Sequence, residues 1–381
     1  MITGSSRAIL YQYSKWIVIA IWLISTFVYL SFFGIVTTQE AGKYIEEANH
    51  FIKYGNFSAP RFWFYSITIL IIAFSIKIKI GFIGAFIIQA LINLFSYLLF
   101  HKALQKLFQQ SLIPIFITVY LLIFWPFQSW VVYLYTESVF FSAVMILFSV
   151  LVLYKPSTVK NISRIILALL FLLISRPLGL LFIFSVCIYL FYYANTKWKI
   201  IIFCCFAVAL IASYYATNII FATIKDWSIT QAFEEESIIC DLPSSGPYAT
   251  LNLAKNGSQV YHLYYYVTHN FSHFLHFAGA KMQYFFLMKR DYYSPAHNYF
   301  LLINTISIYL LALVGLFIKP LKTNKGIILF MAGSILLFAI TIIFQCDDYN
   351  NRFILPLFPF FVILAARGAG YFISLLFKNS K

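Results

Sequence analysis

Four charged residues stand where charge is costly. Glu137, in Tyr135-Thr136-Glu137-Ser138, interrupts two apolar runs. An ionisable group at such a boundary is usually paired or functional. The simpler reading is a helix start, with Thr136 as cap and Glu137 in the first turn, where a negative charge meets the helix dipole favourably. Glu40 opens the stretch Glu40-Ala41-Gly42-Lys43-Tyr44-Ile45-Glu46-Glu47-Ala48, just past the first apolar run. Ala41, Tyr44, Ile45, Ala48 and Ile52 share one helical face and Glu40, Lys43, Glu47 and His50 the other, as in an amphipathic helix lying against a membrane. Thr37, three residues earlier, lets Glu40 close a capping box, with Glu46 and Glu47 solvated; alternatively Glu40 is a general base. Arg176 precedes Pro177, and Arg352 follows Asp347 and Asp348. Each either snorkels, pairs with a carboxylate, or holds a phosphate in its planar fork. Lys281, Lys289, Arg290, Tyr292, Tyr293 and His297 form a basic, aromatic cluster that reads equally as a phosphate site or an interfacial anchor.

The elements that position these residues are membrane helices. Of 381 residues, 62% are hydrophobic and 10% charged. A soluble domain carries roughly 25% charged residues, so a water-soluble globular protein is excluded. The net charge of +15 would suggest nucleic acid in a soluble protein. Here the basic residues fall between apolar runs, so topology accounts for the charge and no nucleic-acid partner is expected. Cys187, Cys204, Cys205, Cys240 and Cys346 show no metal-ligand spacing; Cys240 and Cys346 can pair if both lie outside. No small-residue cleavage site follows the first apolar run, which reads as a retained signal anchor.

The expected fold is an all-α polytopic membrane protein, a single domain over 1–381. About ten spans are expected, near 16–36, 81–100, 112–133, 138–154, 164–178, 179–194, 199–220, 297–318, 327–345 and 353–375. Phe62 to Ile76 is apolar but reaches only about 22 Å as a helix, so it reads as re-entrant or interfacial. With the N-terminus inside, Arg7, Lys15, Lys102, Lys106, Lys155, Lys160, Arg164, Lys197, Lys199, Lys319, Lys322, Lys325, Lys378 and Lys381 are cytoplasmic, and all twelve carboxylates lie opposite. A crossing at 62–76 would invert every later loop. Two outer loops are large, about 37–81 and 221–296. The second holds Glu234, Glu235 and Glu236, a turn at Pro243-Ser244-Ser245-Gly246-Pro247, and an aromatic stretch from Tyr261 to Tyr293 that suits an interfacial helix. In intact cells, an impermeant thiol reagent should label Ser245→Cys and spare Ser157→Cys; equal labelling, or labelling at 157 alone, reverses the orientation.

Taken in order, these pieces resemble the GT-C superfamily of integral-membrane glycosyltransferases, close to bacterial relatives of the dolichyl-phosphate-mannose protein mannosyltransferases. Nearly the whole chain is covered by short motifs: Glu40, Tyr44 and Ala48 running on to Gly55, Phe57 and Pro60; Pro126 and then Thr136-Glu137-Ser138; Arg176-Pro177; Arg290-Asp291-Tyr292-Tyr293-Ser294 with His297-Asn298; and Asp348 through Arg352 to Pro356 and Pro359. The family usually has Asp where this chain has Glu40, and its Asp-Glu or paired-Asp signatures are absent here. The resemblance implies a GT-C-like fold and an inverting transfer of a hexosyl or pentosyl group. The donor would be a polyprenyl-phosphate sugar, and the acceptor an unknown glycan, lipid or protein. The enzyme would be multi-pass in a bacterial inner membrane, its active site facing the periplasm. By the same resemblance Glu40 is the base and Glu137 orients sugar or acceptor. Arg352, aided by Arg290 or Lys281, holds the donor phosphate, and Arg176, Tyr44, Tyr293, His297 and Asp348 position substrate. No metal is required, although Glu40 with Glu137 or Asp348 could hold a divalent ion. The alternatives are an O-antigen polymerase or ligase, and a lipid-linked-saccharide flippase. A flippase needs mid-membrane charges along an alternating path, whereas the candidate site residues and all the carboxylates here gather at one interface, with Arg367 toward the other.

Overall fold

In lipid every backbone N–H and C=O must be satisfied within its own segment, so long apolar runs become helices. The computed structural model describes residues 4–109, 112–223, 230–240, 242, 250–318 and 325–378. In chain order the helices are α1 (Gly4–Phe33), α2 (Glu40–Tyr54), α3 (Ser66–Lys77), α4 (Gly81–Phe108), α5 (Ile113–Ile123), α6 (Trp125–Gln128), α7 (Thr136–Leu153) and α8 (Val159–Leu173). They continue as α9 (Gly179–Tyr193), α10 (Thr196–Thr223), α11 (Gln231–Glu234), α12 (Gln259–His269), α13 (Phe271–Leu287), α14 (Pro295–Phe317), α15 (Lys325–Phe344) and α16 (Phe358–Lys378). Short 3₁₀ turns link several of them, and among the described residues β-structure is limited to isolated bridges. The protein is an all-α, multi-pass membrane protein.

Among the described residues seven helical segments are long and apolar enough to cross a bilayer, and Ile113–Ile123 with Trp125–Val132, bent by 68°, makes an eighth. The expected spans at 164–178 and 179–194 are α8 and α9, of 15 residues each. At 1.5 Å per residue each is about 22 Å long, short of the roughly 30 Å hydrocarbon core. The chain turns between them at Arg176-Pro177, where proline lacks the N–H a helix needs. A Cβ on Gly179 would lie 2.7 Å from the Leu172 carbonyl oxygen, so glycine is required at that turn.

The Cα packing groups the chain into two compact units. The first comprises Met1–Ile183, Leu311–Ile327 and Phe358–Lys381, the second Phe184–Leu310 and Ile328–Leu357. In the first unit, α7 is buried from Thr136 to Val152 except at Ile146. Polar side chains fix the direction of its neighbours. Gln105 Nε2 donates to Ser14 Oγ at 3.0 Å near the start of α1. Gln89 Nε2 donates to the Val131 and Tyr133 carbonyls at 2.9 and 2.8 Å, beside Val36, which follows the end of α1. α4 therefore runs antiparallel to α1. It runs parallel to α7, with Asn93 Nδ2 on Ser142 Oγ at 3.4 Å and Lys106 Nζ on the Leu153 carbonyl at 2.9 Å. The segment Pro60–Lys77 is a 3₁₀ turn followed by α3, 18 residues in all, and passes for a span by length. Its direction differs from that of a returning span. α3 doubles back onto α4 through the turn at Ile78–Ile80, with Ser75 Oγ on the Gly81 carbonyl, so it leads away from the start of α1 and α4 makes the return.

α16 packs Phe358 against Phe124 with ring centroids 4.4 Å apart, and Phe360 against Phe148 at 5.6 Å. Gly315 of α14 and Gly368 of α16 face each other so closely that a Cβ on either would strike the other helix's backbone. Small residues permit such approach between apolar helices.

In the second unit, Phe233, Tyr266 and Phe277 form a buried cluster. Cys240 and Cys346, whose pairing the sequence left open, form a disulfide across 106 residues. The aromatic stretch is two helices rather than one, because Asn270 ends α12 and precedes α13. Its side chain is bound to Asn252, accepting from the backbone N–H and donating to the carbonyl, each at 2.8 Å. An asparagine side chain that captures backbone groups competes with helix continuation. The turn at Pro243 to Pro247, which includes the Ser245 labelling position, and the loop lysines Lys319 and Lys322 lie outside the described residues.

Candidate active site

After α1 the backbone turns at Gly34 (φ +64°), and Val36 bridges to Tyr133. The Tyr135 hydroxyl holds the Thr38 carbonyl at 3.1 Å and Gln39 Oε1 at 3.2 Å. Gln39, with φ 56°, precedes α2 without a side-chain cap, and Glu40 is the first helical residue. The capping box is therefore absent: its glutamate belongs at the third helical position, where it can reach back to the N-cap N–H. Instead Glu40 Oε1 accepts from the Tyr44 hydroxyl at 2.8 Å and from Lys43 Nζ at 2.6 Å, its side chain 19% exposed. Tyr44 is fully buried, its ring 5.6 Å from that of Tyr65, with the Lys43 ammonium 4.9 Å from its centroid. Burial, and then the carboxylates of Glu40 and Glu137, push the Tyr44 hydroxyl well above its ordinary pKa; Arg176 opposes them. Tyr44 therefore remains a donor, electrostatically coupled to three of the residues the sequence singled out.

Glu137 lies in the first turn of α7 as expected, but Tyr135 occupies the cap position and Thr136 is already helical. Fully buried, Glu137 forms an ion pair with Arg176, which comes from the turn between α8 and α9. Neither side chain snorkels. The face expected to carry Ala41, Tyr44, Ile45, Ala48 and Ile52 buries Ala41, Tyr44 and Ala48, while Ile52 is exposed. Glu47, expected in solvent, is buried: its oxygens accept from the Ser58 N–H at 2.6 Å and Ser58 Oγ at 2.5 Å. That contact spans eleven positions, so no helical period announces it.

In the second unit the structure gathers residues 290–298 with 347–352. Tyr293 stacks on His297 with centroids 4.0 Å apart and donates to Asn350 Oδ1 at 3.2 Å, while the Asn350 N–H donates to the Tyr292 hydroxyl at 3.1 Å. Asn350 and Asn351 hold left-handed backbone, φ 56° and 62°. Asp348 caps this turn by accepting the Tyr349 N–H at 2.8 Å, and its other oxygen lies 3.8 Å from the Arg352 guanidinium. Arg352 keeps a 9% exposed side chain at the start of the last helical segment.

Arg290 and Lys281 are placed differently from a phosphate clamp. Arg290 is fully buried and pairs with Asp347, also fully buried, at 2.5 Å, and it donates to the Tyr284 and Lys289 carbonyls at 2.8 and 3.0 Å. Burial pushes the Asp347 carboxyl up and Arg290 pulls it down. Lys281 is fully buried, its ammonium without a hydrogen-bond partner and 4.3 and 4.4 Å from the Phe233 and Phe277 centroids. Burial lowers its pKa from 10.5 to about 7. Neither cation is presented to a ligand; both are enclosed within the second unit.

The enclosed lysine gives a stability prediction. Between about 7 and 10.5 the unfolded chain holds a proton that the folded one has lost, so stability rises with pH across that window. Lys281→Met should stabilise the fold at pH 7, and so raise the melting temperature, by on the order of 4 kcal/mol in free energy before the lost ring contacts are subtracted. The gain should fade toward pH 10. A variant less stable than wild type at pH 7 would mean the amine has a partner.

Among the described residues no three His, Cys, Asp or Glu side chains group as metal ligands. The chain matches no family model, and neither a curated protein nor a solved structure is similar to it.

Proposed function

We propose that this protein is an inverting membrane glycosyltransferase that moves a sugar from a polyprenyl-phosphate donor to an acceptor on the outer face of a cell membrane. The observation that carries the reading is the setting of Glu40: a part-exposed carboxylate opening an amphipathic helix, oriented by a buried tyrosine and coupled through it to the Glu137–Arg176 pair. Without a capping role, a carboxylate held in this way is suited to accept a proton. Glu40 takes the proton of an acceptor hydroxyl, whose oxygen attacks the anomeric carbon as the bond to the lipid phosphate breaks. The phosphate leaves with the bonding electrons. A cation that meets this developing charge lowers the barrier, and the family resemblance gives that role to Arg352. Asp348 lies beside it, one carboxylate oxygen 3.8 Å from the guanidinium. In the first unit the Glu137–Arg176 pair supports Tyr44 and so Glu40; the family resemblance gives Tyr293 and His297 a substrate-positioning role. Arg290 and Lys281 have structural roles in this scheme, and no metal is written into it. A bacterial inner membrane and a periplasmic site belong to the same proposal.

The direct test is whether purified protein in lipid consumes a polyprenyl-phosphate sugar. Arg352→Ala should lower donor turnover by the equivalent of about 2 to 4 kcal/mol, and Arg352→Lys should recover only part, because a point charge replaces a planar fork. Normal turnover by the alanine variant would reduce Arg352 to an anchor.

A further inference from the structure

The far end of α2, in the first unit, carries a pocket that the mechanism above does not use. Gly55, in left-handed backbone at φ 74°, caps the helix and turns the chain back. Three contacts pin the turn that follows to the last part of α2. His50 Nδ1 donates to the Asn56 carbonyl at 3.1 Å. The rings of Phe51 and Phe57 stand 5.1 Å apart. Both oxygens of Glu47 accept from Ser58, the N–H at 2.6 Å and the hydroxyl at 2.5 Å. The last contact is the costly one, because Glu47 is 4% exposed and a carboxylate taken out of water must replace its hydration with hydrogen bonds. Surface loops that merely connect elements tolerate variation and need no buried anchor. This anchor points to a turn whose shape is used.

The turn and the helix end form a pocket of about 360 Å³ lined by His50, Tyr54, Asn56, Phe57 and Ser58. A carbonyl only accepts, so in the neutral His50 ring Nδ1 carries the proton and Nε2 is left as an acceptor. Tyr54 adds a hydroxyl and Asn56 an amide that both donates and accepts, and both residues are exposed. Beside them Trp63 meets Phe57 edge-on at 5.0 Å and stays 64% exposed, which leaves its ring open to a partner. A sugar hydroxyl donates and accepts while the ring carbons present an apolar edge, so neutral polar groups beside an open indole suit it. The pocket also shares its helix with Glu40. Both Glu40 and His50 lie on the polar side of α2, and at 1.5 Å per residue they stand about 15 Å apart along it. One sugar ring does not bridge that distance, whereas a short chain of rings does.

We propose that this pocket holds a neutral sugar of an oligosaccharide acceptor, several rings away from the hydroxyl that reacts at Glu40. As an acceptor subsite it rests on the glycosyltransferase reading; as a saccharide-binding site it does not. The pinned turn presents its groups already aligned, so little ordering opposes binding. The competing occupant is the headgroup layer of the membrane, in which Trp63 and Tyr54 are anchors only.

The test is calorimetric titration of the full-length protein in lipid nanodiscs with cellotetraose, α-1,6-mannotetraose, glucose and mannose. At least one tetrasaccharide should bind saturably, and its monosaccharide at least about tenfold more weakly, because only the longer probe also runs along α2. Tyr54→Phe and Asn56→Ala each remove one hydrogen-bonding group while the Asn56 carbonyl and the Glu47–Ser58 anchor stay in place. Each should weaken the tetrasaccharide about fivefold at unchanged melting temperature. Failure of both tetrasaccharides to bind overturns the site. Equal affinity for tetrasaccharide and monosaccharide overturns the extended acceptor, and wild-type affinity in both variants returns the turn to membrane anchoring. Donor consumption separates the two claims. Turnover of a polyprenyl-phosphate sugar without tetrasaccharide binding rejects this site and keeps the enzyme reading, whereas binding that both variants weaken, without turnover, rejects the enzyme reading and keeps the site.

Discussion

Glu40→Gln should lower sugar transfer by about two to four orders of magnitude while leaving insertion and melting temperature nearly unchanged. The amide keeps the size of the side chain and an oxygen that can accept from Tyr44, while the charge pairing with Lys43 is lost. That contact is an exposed i,i+3 pair, of the kind that contributes a few tenths of a kcal/mol. What the amide cannot do is take a proton from a hydroxyl. Glu40→Asp tests reach separately: it keeps the charge but withdraws it by one methylene, and should retain partial turnover. All three proteins need comparison at matched membrane abundance, with polyprenyl-phosphate sugar as donor. Wild-type turnover by Glu40→Gln would remove Glu40 as base and pass the role to another carboxylate.

The second large effect is on stability. Arg290 and Asp347 are both fully buried, and removing one partner leaves the other as an uncompensated charge. Arg290→Met and Asp347→Leu should each cost about 3 to 5 kcal/mol. The double variant should cost clearly less than the two together, because it leaves neither charge behind; the residual loss includes the Tyr284 and Lys289 carbonyls, which lose their donor, and the Asp348 N–H, which loses its acceptor. Asp347 also ties down the neighbouring chain, its N–H donating to the Ile238 carbonyl at 2.7 Å and its carbonyl accepting from the Cys240 N–H at 2.8 Å. The single variants should therefore also make the Cys240–Cys346 disulfide easier to reduce. Thermal unfolding of the four proteins in detergent measures the cycle, and strictly additive losses would show that the two residues do not act as a pair.

The sequence by itself determined the class and the addresses of the polar residues. Lipid leaves a backbone no choice but helix, so apolar runs near 20 residues marked most of the long helices, and Glu40, Glu137 and Arg176 stood out because charge is rare beside such runs. Periodicity also placed α2 and the buried side of Tyr44. Tertiary structure alone decided which charge meets which. Glu137 finds Arg176 across 39 positions and Arg290 finds Asp347 across 57, separations that carry no periodic signal because the contact is set by how helices pack. The same packing turned Arg290 and Lys281 from candidate phosphate ligands into enclosed groups and drew Glu47 inward to Ser58. It also divided the aromatic stretch at Asn270, where the side-chain bonds to Asn252 outweigh the local apolar pattern. A carboxylate's neighbours in the chain tell that it is costly to bury; only the fold supplies the partner that makes burial possible.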